Sequence, residues 1–203
     1  MSIKAIGFDY LGVTALLPNR DIFAVVGELV GRPRDEVKVS YYAYAPDFQK
    51  NQLTQTQLWA NVASDLGVTD KLPDIMELIA RDLPIVDGDV LNLVDALRSS
   101  GLKVGLLSNL ATGTEWDEDL RTQGVHEHFD AVVLSGDIGF AKPDHRCFEI
   151  LAERLGVATN ELAFIDDREA SLVGVESIGI APIVYSGIQN LKDQLKTLGI
   201  AAH

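Results

Sequence analysis

The sequence predicts an α/β fold built on a mostly parallel sheet, and three observations support this prediction. Short apolar segments of strand character alternate with helical patterns over the C-terminal two thirds of the chain. Hydrophobic residues make up 47% of the 203 residues, which is enough to bury a sizeable core. Glycines stand where the helices are expected to end, at Gly101, Gly124, Gly156, Gly179 and Gly199. Strands that alternate with helices in this way form a parallel sheet covered on both faces.

Five segments are predicted to form the strands of this sheet. They span residues 3–10, 102–109, 131–135, 162–166 and 181–185. Helical patterns lie before, between and after the last four strands. They span residues 90–99, 115–123, 145–155, 170–178 and 191–198.

Residues 15–87 interrupt the alternation. Four helical patterns follow one another there without a convincing strand between them, over residues 21–30, 34–44, 55–66 and 74–82. Thr54 and Gln57 are spaced as a capping box at the start of the third helix. We therefore predict an α/β core over residues 1–14 and 88–203, with a helical subdomain over residues 15–87 inserted after the first strand.

Charge and composition exclude several classes of partner. The formal net charge is −13 at pH 7, and such a surface repels the phosphates of nucleic acids and of anionic lipids. No apolar run approaches the roughly 18 residues that a membrane span needs. Cys147 is the single cysteine, and we interpret it as a core residue of a helix. Because the N-terminus lacks the layout of a signal peptide, we expect a cytoplasmic protein.

Polar residues come where four of the predicted parallel strands end or lead into the next segment. They are Asp9, the pair Ser108 and Asn109, Lys142, and the pair Asp166 and Asp167. Each of them alone fits a turn or a helix cap. Ligands of open α/β sheets bind at the carboxyl ends of the strands, so this convergence on one edge indicates a functional site.

The chemistry of these side chains favours a metal-assisted reaction of a phosphate group. Three carboxylates near one point repel one another unless a cation lies among them. Oxygen ligands without histidine or cysteine suit Mg²⁺, which favours a phosphate as partner anion. Lys142 and the hydroxyl of Ser108 can hold that anion. Asp9 can then act as a nucleophile and form an aspartyl-phosphate.

Four segments carry a resemblance to a known family. They are F-D-Y-L-G-V with Asp9, L-L-S-N with Ser108, G-F-A-K-P with Lys142, and F-I-D-D-R with Asp166 and Asp167. In order and spacing they resemble the four signature motifs of the haloacid dehalogenase-like hydrolase superfamily, and the resemblance covers essentially the whole chain. It implies a Rossmann-like, doubly wound sheet of strand order 5-4-1-2-3 and a helical cap inserted after the first motif.

The resemblance also implies roles for individual residues and a reaction. Mg²⁺ would be bound by Asp9, Asp167, the backbone carbonyl of Leu11 and, directly or through water, Asp166. The phosphate would be held by Ser108, Asn109 and Lys142, with Lys142 also balancing the acids and Asp9 as nucleophile. The expected protein is a Mg²⁺-dependent phosphatase of a small phosphorylated metabolite, monomeric or homodimeric.

Leu11 departs from the family pattern. Most phosphatases of this superfamily are expected to have a second aspartate there, which serves as general acid and base. Leucine can do neither, and such help is worth roughly 10²–10⁴ in rate. One interpretation is a phosphatase without this group, similar to the sugar-phosphatase-like branch of the superfamily.

Two other interpretations stay open. A haloacid dehalogenase also lacks the second aspartate, but the resemblance implies that this branch has neither Mg²⁺ nor the pair Asp166 and Asp167, and its halide-binding arginine is matched only loosely by Arg20. The other interpretation is a binding protein on a hydrolase scaffold that has little or no activity.

Aromatic residues could complete the site. Trp59 is predicted in the core of the helical subdomain. Trp116 follows the Ser108–Asn109 loop, so it is either a wall of the substrate cleft or part of the core. The tyrosines of the segment S-Y-Y-A-Y are predicted to pack within the helical subdomain, to form an interface between two such subdomains, or to line a pocket.

Overall fold

A five-stranded parallel sheet runs through the centre of the fold in the computed structural model, which describes residues 2–16 and 21–201. The first part of the chain forms β1 (Ala5–Phe8), β2 (Ala15–Leu16), α1 (Ile22–Val30), α2 (Arg34–Phe48), α3 (Gln55–Asp65), α4 (Leu72–Arg81) and β3 (Ile85–Val86). The rest forms α5 (Gly88–Ser99), β4 (Lys103–Ser108), α6 (Glu115–Thr122), β5 (Ala131–Leu134), α7 (Ser135–Ile138), α8 (His145–Leu155), β6 (Leu162–Asp166), β7 (Ala181–Val184) and α9 (Ile188–Thr197).

The sheet has the order β5-β4-β1-β6-β7, and every neighbouring pair in it is parallel. Counted along the chain, these are strands three, two, one, four and five. This is the predicted order 5-4-1-2-3 seen from the other edge, so the doubly wound, Rossmann-like fold is confirmed. The first strand lies in the middle and places the residue that follows it at the centre of the carboxyl edge.

Apolar side chains on the two faces of the sheet form separate clusters, because successive residues of a strand point to opposite faces. Ile6 and Phe8 of β1 pack in one cluster with α5 and α9, whereas Ala5 packs in the other with α8. A Cβ atom on Gly7 would lie 2.5 Å from the ring of Phe164. The glycine therefore allows close packing on the α8 face of the central strand.

Helices α1 to α4 pack around a cluster of their own. Its buried members include Val26, Leu58, Trp59, Val62 and Ile75. A short antiparallel ribbon joins these helices to the core, since β2 pairs with β3 through Ala15 with Val86 and Leu16 with Ile85. We refer to α1–α4 as the cap. The division at residues 14/15 and 87/88 stays a prediction, and the ribbon lies at those positions.

The predicted cap helices are present, and the largest difference in length is in α2. The capping box of Thr54 and Gln57 forms, because the hydroxyl accepts from the Gln57 N–H and the Gln57 side chain accepts from the Thr54 N–H. Helix α2 continues past the predicted end at residue 44 to Phe48, although it contains Pro46.

The predicted helix over residues 170–178 is wrong. Two short 3₁₀ turns, Glu169–Leu172 and Val175–Ile178, replace it. Gly174 lies between them with a φ of 81°, in the left-handed region that interrupts a helix. A Cβ atom there would lie 3.0 Å from Nε2 of His145, so the turn also brings this segment close to α8.

Two further observations concern the composition-based predictions. Cys147 is fully buried on α8, and burial raises the pKa of its thiol to about 12, as suits a core residue. Among residues 2–16 and 21–201, no helix is both long and apolar enough to span a membrane.

Candidate active site

The carboxyl edge of the sheet brings the predicted site residues together. Asp9 follows β1, and its backbone N–H donates to the carbonyl of Ile165 at 2.9 Å, so it lies beside the end of β6. Ser108 is the last residue of β4 and Asp166 is the last residue of β6. These two strands flank β1.

Three carboxylates form a tight group at this edge. Asp9, Asp166 and Asp167 each have an oxygen within 4.8 Å of an oxygen of the others. Asp9 and Asp166 are buried, whereas Asp167 is exposed. Among the described residues this is the group of acidic, histidine or cysteine side chains whose geometry fits a metal ion.

Lys142 lies directly against the two buried acids. Its Nζ is 2.8 Å from Oδ1 of Asp9 and 2.5 Å from Oδ2 of Asp166, and the ammonium also lies 5.0 Å from the ring centroid of Phe164. The residue is only 6% exposed. An ammonium group between two buried carboxylates offsets part of their charge.

The charge of the group remains unbalanced. Burial raises the pKa of Asp9 to about 6, against the lowering effect of Lys142 and with a further rise from Asp166. The pKa of Asp167 is also raised, first by the partial desolvation of its carboxylate and then by Asp166. Three carboxylates and one ammonium favour the uptake of a cation or of protons.

The loop after β1 is shaped to admit the carboxylate of Asp167. Gly12 has a φ of 93°, and a Cβ atom there would lie 2.5 Å from Cγ of Asp167. Only glycine therefore fits in this conformation and leaves room for that side chain. The donors are all oxygens and one of them is accessible, so the group fits a hard cation such as Mg²⁺.

The side chain of Leu11 is half-buried against the core and lines the cavity above the acids. The loop is held by N–H donation from Thr14 and Ala15 to the carbonyl of Tyr10, and by the Thr14 hydroxyl, which donates to the Asp9 carbonyl at 2.7 Å. The backbone carbonyl of Leu11 as a metal ligand stays a prediction.

Ser108 and Asn109 both line the cavity above the acids, and Asn109 also binds a neighbouring loop. Ser108 is 2% exposed and lines the same cavity. Asn109 binds the backbone of Lys142, since its Oδ1 accepts from the Lys142 N–H at 2.7 Å and its Nδ2 donates to the Lys142 carbonyl at 3.0 Å. These two hydrogen bonds position Lys142. A contact of Asn109 with phosphate stays a prediction.

A cavity of about 370 Å³ lies between these residues and the cap. The core contributes Asp9, Leu11, Ser108, Lys142 and Asp167. From the cap it is lined by Ile22, Phe23, Tyr41, Tyr42, Phe48, Gln49, Gln55, Trp59 and Ile79. The carboxyl edge of the sheet therefore opens into a pocket whose other side is built largely by the cap.

Several of the aromatic residues singled out in the sequence line this cavity. Trp116 forms part of the wall, and Trp59 is both a core residue of the cap and a lining residue. Tyr41 and Tyr42 line the pocket as well, whereas Tyr44 bonds to Asp65.

Sequence reasoning missed Arg168, which lines the cavity and donates its backbone N–H to Oδ1 of Asp166 at 2.9 Å. Its position directly after the Asp166–Asp167 pair was the available signal. Arg20, the loosely matched candidate for a halide ligand, lies outside the described residues.

Comparisons with known proteins bear on the family and the fold of this chain. The family model for haloacid dehalogenase-like hydrolases matches residues 3–179. Phosphatase MT3486 of Mycobacterium tuberculosis (strain CDC 1551 / Oshkosh) is 29% identical over 188 residues, which covers 89% of this chain and 86% of that protein.

Two solved structures show the same fold. The HAD family enzyme bt-2542 from Bacteroides thetaiotaomicron, in complex with magnesium and inorganic phosphate, has a TM-score of 0.67 at 19% identity and covers 91% of this chain and 95% of its own. The L-2-haloacid dehalogenase RSc1362 has a TM-score of 0.67 at 15% identity and covers 98% of this chain and 100% of its own. Because phosphatase and dehalogenase names both occur, the fold alone does not select the reaction.

Proposed function

The chain belongs to the haloacid dehalogenase-like hydrolases, and we propose that it is a Mg²⁺-dependent phosphatase that hydrolyses a small phosphorylated metabolite through an aspartyl-phosphate at Asp9. The observation that carries the proposal is the contact of Lys142 with Asp9 and Asp166 inside a group of three carboxylates, at the floor of a cavity that the cap partly covers. The similarity to a protein named as a phosphatase supports it.

The carboxylate group would hold the metal ion. Asp9, Asp166 and Asp167 provide the side-chain oxygens, and the carbonyl of Leu11 is proposed as a further ligand. When bound, Mg²⁺ supplies positive charge that offsets the charge on the transferring phosphoryl oxygens. Lys142 and Ser108 line the same cavity and would bind the phosphate oxygens.

Asp9 is the proposed nucleophile because it is buried at the centre of the edge and fixed in place. Its Oδ1 accepts from the N–H of Tyr10 at 2.7 Å and from Lys142, which orient the carboxylate toward the cavity that it lines. In the first step an Asp9 oxygen bonds to phosphorus, and the ester bond breaks with its electron pair on the leaving oxygen. In the second step water attacks phosphorus, the bond to Asp9 breaks, and phosphate leaves while a proton is released.

The dehalogenase alternative receives less support from these residues. A displacement of halide forms an ester on the aspartate and requires no binding of phosphate oxygens. Here, Asp166 and Asp167 suit a bound cation, and Lys142 suits an anion beside it. The binding-protein alternative is favoured by Leu11 alone, and activity measurements separate it from the proposal.

The test is hydrolysis of p-nitrophenyl phosphate by the wild type and by Asp9→Asn, with excess Mg²⁺ or with EDTA. This substrate has a good leaving group, so it tolerates the lack of a general acid. We expect turnover that requires both Mg²⁺ and Asp9.

Asp95→Asn is the matched control, because Asp95 contacts His128 and does not line the cavity. It should keep wild-type activity. Equal hydrolysis by wild type and Asp9→Asn would contradict the role of Asp9. No hydrolysis of any phosphate ester would contradict the phosphatase, and release of halide from a 2-haloacid would then select the dehalogenase.

A further inference from the structure

The cavity above the acid group is walled by aromatic rings. Phe23, Tyr41 and Tyr42 contact one another with ring centroids 5.2 to 5.8 Å apart, and Tyr41 lies 5.4 Å from Trp59. All four line the cavity. Tyr42 is 43% exposed, so part of this aromatic surface is accessible to a ligand. Rings arranged in this way provide large apolar contact area and stack on flat ligands.

Trp116 extends the aromatic wall from the core side. Its Nε1 donates to the backbone carbonyl of Asp82 at 3.1 Å, which satisfies its single hydrogen-bond donor and fixes the indole. The remaining surface that it offers to the cavity is an apolar ring. A ligand in the cavity would therefore have aromatic neighbours from both the cap and the core.

The same cavity is poor in groups that could protonate a leaving oxygen. Among the described lining residues, the titratable side chains are those of Asp9, Asp167, Lys142, Arg168, Tyr41 and Tyr42. The two aspartates belong to the acid group, and Lys142 is ion-paired with buried carboxylates.

The other three groups are one arginine and two tyrosines. Arg168 carries a guanidinium that does not give up its proton, and burial raises the pKa of Tyr41 to about 12. Tyr42 offers only a phenol hydroxyl. Leu11, beside the nucleophile, has no proton to give.

We infer that the substrate is a phosphate monoester of a phenol, a small aryl phosphate whose ring lies against Tyr41, Tyr42 and Trp116. This inference rests on the proposed function and names its substrate class. Asp9 bonds to phosphorus, the phosphorus–oxygen ester bond breaks, and the phenolate leaves with the electron pair. The phenolate takes its proton from water, and water later releases phosphate from Asp9.

The acidity of the leaving group sets the expected difference in rate between aryl and alkyl phosphates. A phenol has a pKa near 10, whereas the pKa of an alcohol is closer to that of water, which is about 15.7. General acid catalysis, worth roughly 10²–10⁴ in rate, matters most for the alcohol. Without it, alkyl phosphates should react at least about 100-fold more slowly than aryl phosphates of the same shape.

The first experiment compares phenyl phosphate with cyclohexyl phosphate as substrates of the wild-type protein with excess Mg²⁺. Both carry one six-membered ring, and they differ in leaving-group acidity and in the flatness of the ring. We expect kcat/KM for phenyl phosphate to exceed that for cyclohexyl phosphate by at least about 100-fold. Similar values for the two substrates, with phosphate released, would overturn the inference and leave the proposed function intact.

The second experiment isolates the aromatic wall. Acetyl phosphate has a good leaving group without a ring, so it serves as the reference for phenyl phosphate. Tyr42→Leu should raise KM for phenyl phosphate about threefold to tenfold, which is the effect expected from the loss of one aromatic ring contact. The KM for acetyl phosphate should be unchanged. Tyr44→Leu is the matched control, because Tyr44 contacts Asp65 away from the cavity, and it should change neither value.

An unchanged KM for phenyl phosphate in Tyr42→Leu, or an equal rise for both substrates, would overturn the assignment of the wall to the leaving group. Absence of phosphate release from phenyl, cyclohexyl, acetyl and p-nitrophenyl phosphates alike would instead overturn the proposed function, and the inference with it.

Discussion

At the residue scale, the site depends on a lysine buried between two acids. Lys142 has a side chain that is 1% exposed, and its partners Asp9 and Asp166 are 10% and 0% exposed. Removing one member of a buried ion pair leaves the other charges without compensation, which typically costs about 3–5 kcal/mol. The same ammonium is proposed to bind phosphate, so stability and activity meet at this residue.

Lys142→Met should therefore lower the free energy of unfolding by about 3 kcal/mol and abolish phosphatase activity. Urea unfolding measured without metal checks the first expectation. Lys196→Met is the control, since Lys196 pairs with Asp193 at the surface with side chains 57% and 60% exposed, and such pairs contribute about 0–1 kcal/mol. Equal losses of stability in the two variants would contradict the buried ion pair.

The raised pKa of Asp9 predicts how metal affinity changes with pH. In the metal-free protein this pKa rises from 3.8 to about 6, so the carboxyl carries a proton below that pH. A cation that needs the carboxylate must displace this proton, and its affinity should fall about tenfold per pH unit below about 6 for each proton displaced. Above about pH 7 the affinity should level off.

Titration calorimetry of Mg²⁺ binding between about pH 5 and about pH 8 measures this dependence. Asp9→Asn removes the titrating group, so its pH dependence should be shallower. The same affinity for the wild type at both ends of this range would contradict the assignment of the metal site to Asp9.

Sequence reasoning placed most of these residues because parallel strands end at one edge of the sheet. A polar side chain at the end of such a strand therefore indicates a position at that edge. It could not find what depends on contacts across the fold. Asn109 is a polar residue after a strand in the sequence, but its side chain binds the backbone of Lys142, 33 residues away. Position 12 requires glycine because the carboxylate of Asp167 lies against it, and Asp167 comes 155 positions later in the chain.

At the element scale, the cap is attached to the core by a small hydrogen-bonded latch. Asn51, in the turn after α2, donates from Nδ2 to the Thr112 hydroxyl at 2.6 Å and accepts from the Thr112 N–H at 3.1 Å. Nearby, the Ser135 hydroxyl donates to the Gln49 carbonyl at 2.6 Å. Asn51 has a φ of 56°, a left-handed conformation that asparagine and glycine adopt readily.

Asn51→Gly keeps this conformation and removes both hydrogen bonds of the amide. At about 1 kcal/mol each, their loss should favour opening of the cap about 30-fold. Hydrogen exchange should become faster in residues 110–116, while β1 stays protected. Thr112→Val removes one of the two bonds and should give an intermediate effect. Unchanged exchange at residues 110–116 in both variants would contradict the latch.

The elements themselves were predicted with unequal success. Strands and helices of the core follow clear apolar periods, so their positions agree with the structure to within a few residues. The segment 170–178 is helical in pattern, yet Gly174 with its positive φ and the nearby His145 impose two short turns instead. The two-residue strands of the connecting ribbon are too short to produce a pattern.

At the scale of the whole molecule, the active-site cavity lies between two separately packed bodies of side chains. The cap has its own apolar cluster, and the sheet has one on each face. Sequence periodicity predicted the cap helices but not which of their side chains meet the core. The aromatic wall is therefore a feature of how the cap is docked, and it could not be derived from the S-Y-Y-A-Y segment alone.

The central claim is that Asp9 carries the phosphoryl group during turnover. Rapid mixing with p-nitrophenyl phosphate and Mg²⁺, followed by acid quench and peptide mapping, tests it most directly. Leu11 offers no base for the attacking water, and among the described lining residues the two carboxylates, Asp9 and Asp167, are proposed to serve as nucleophile and metal ligands, so the second step should be slow. We expect a burst of p-nitrophenolate close to the enzyme concentration and a phosphoryl group on the peptide that contains Asp9, with neither in Asp9→Asn. Turnover without phosphorylation of Asp9 would contradict the account.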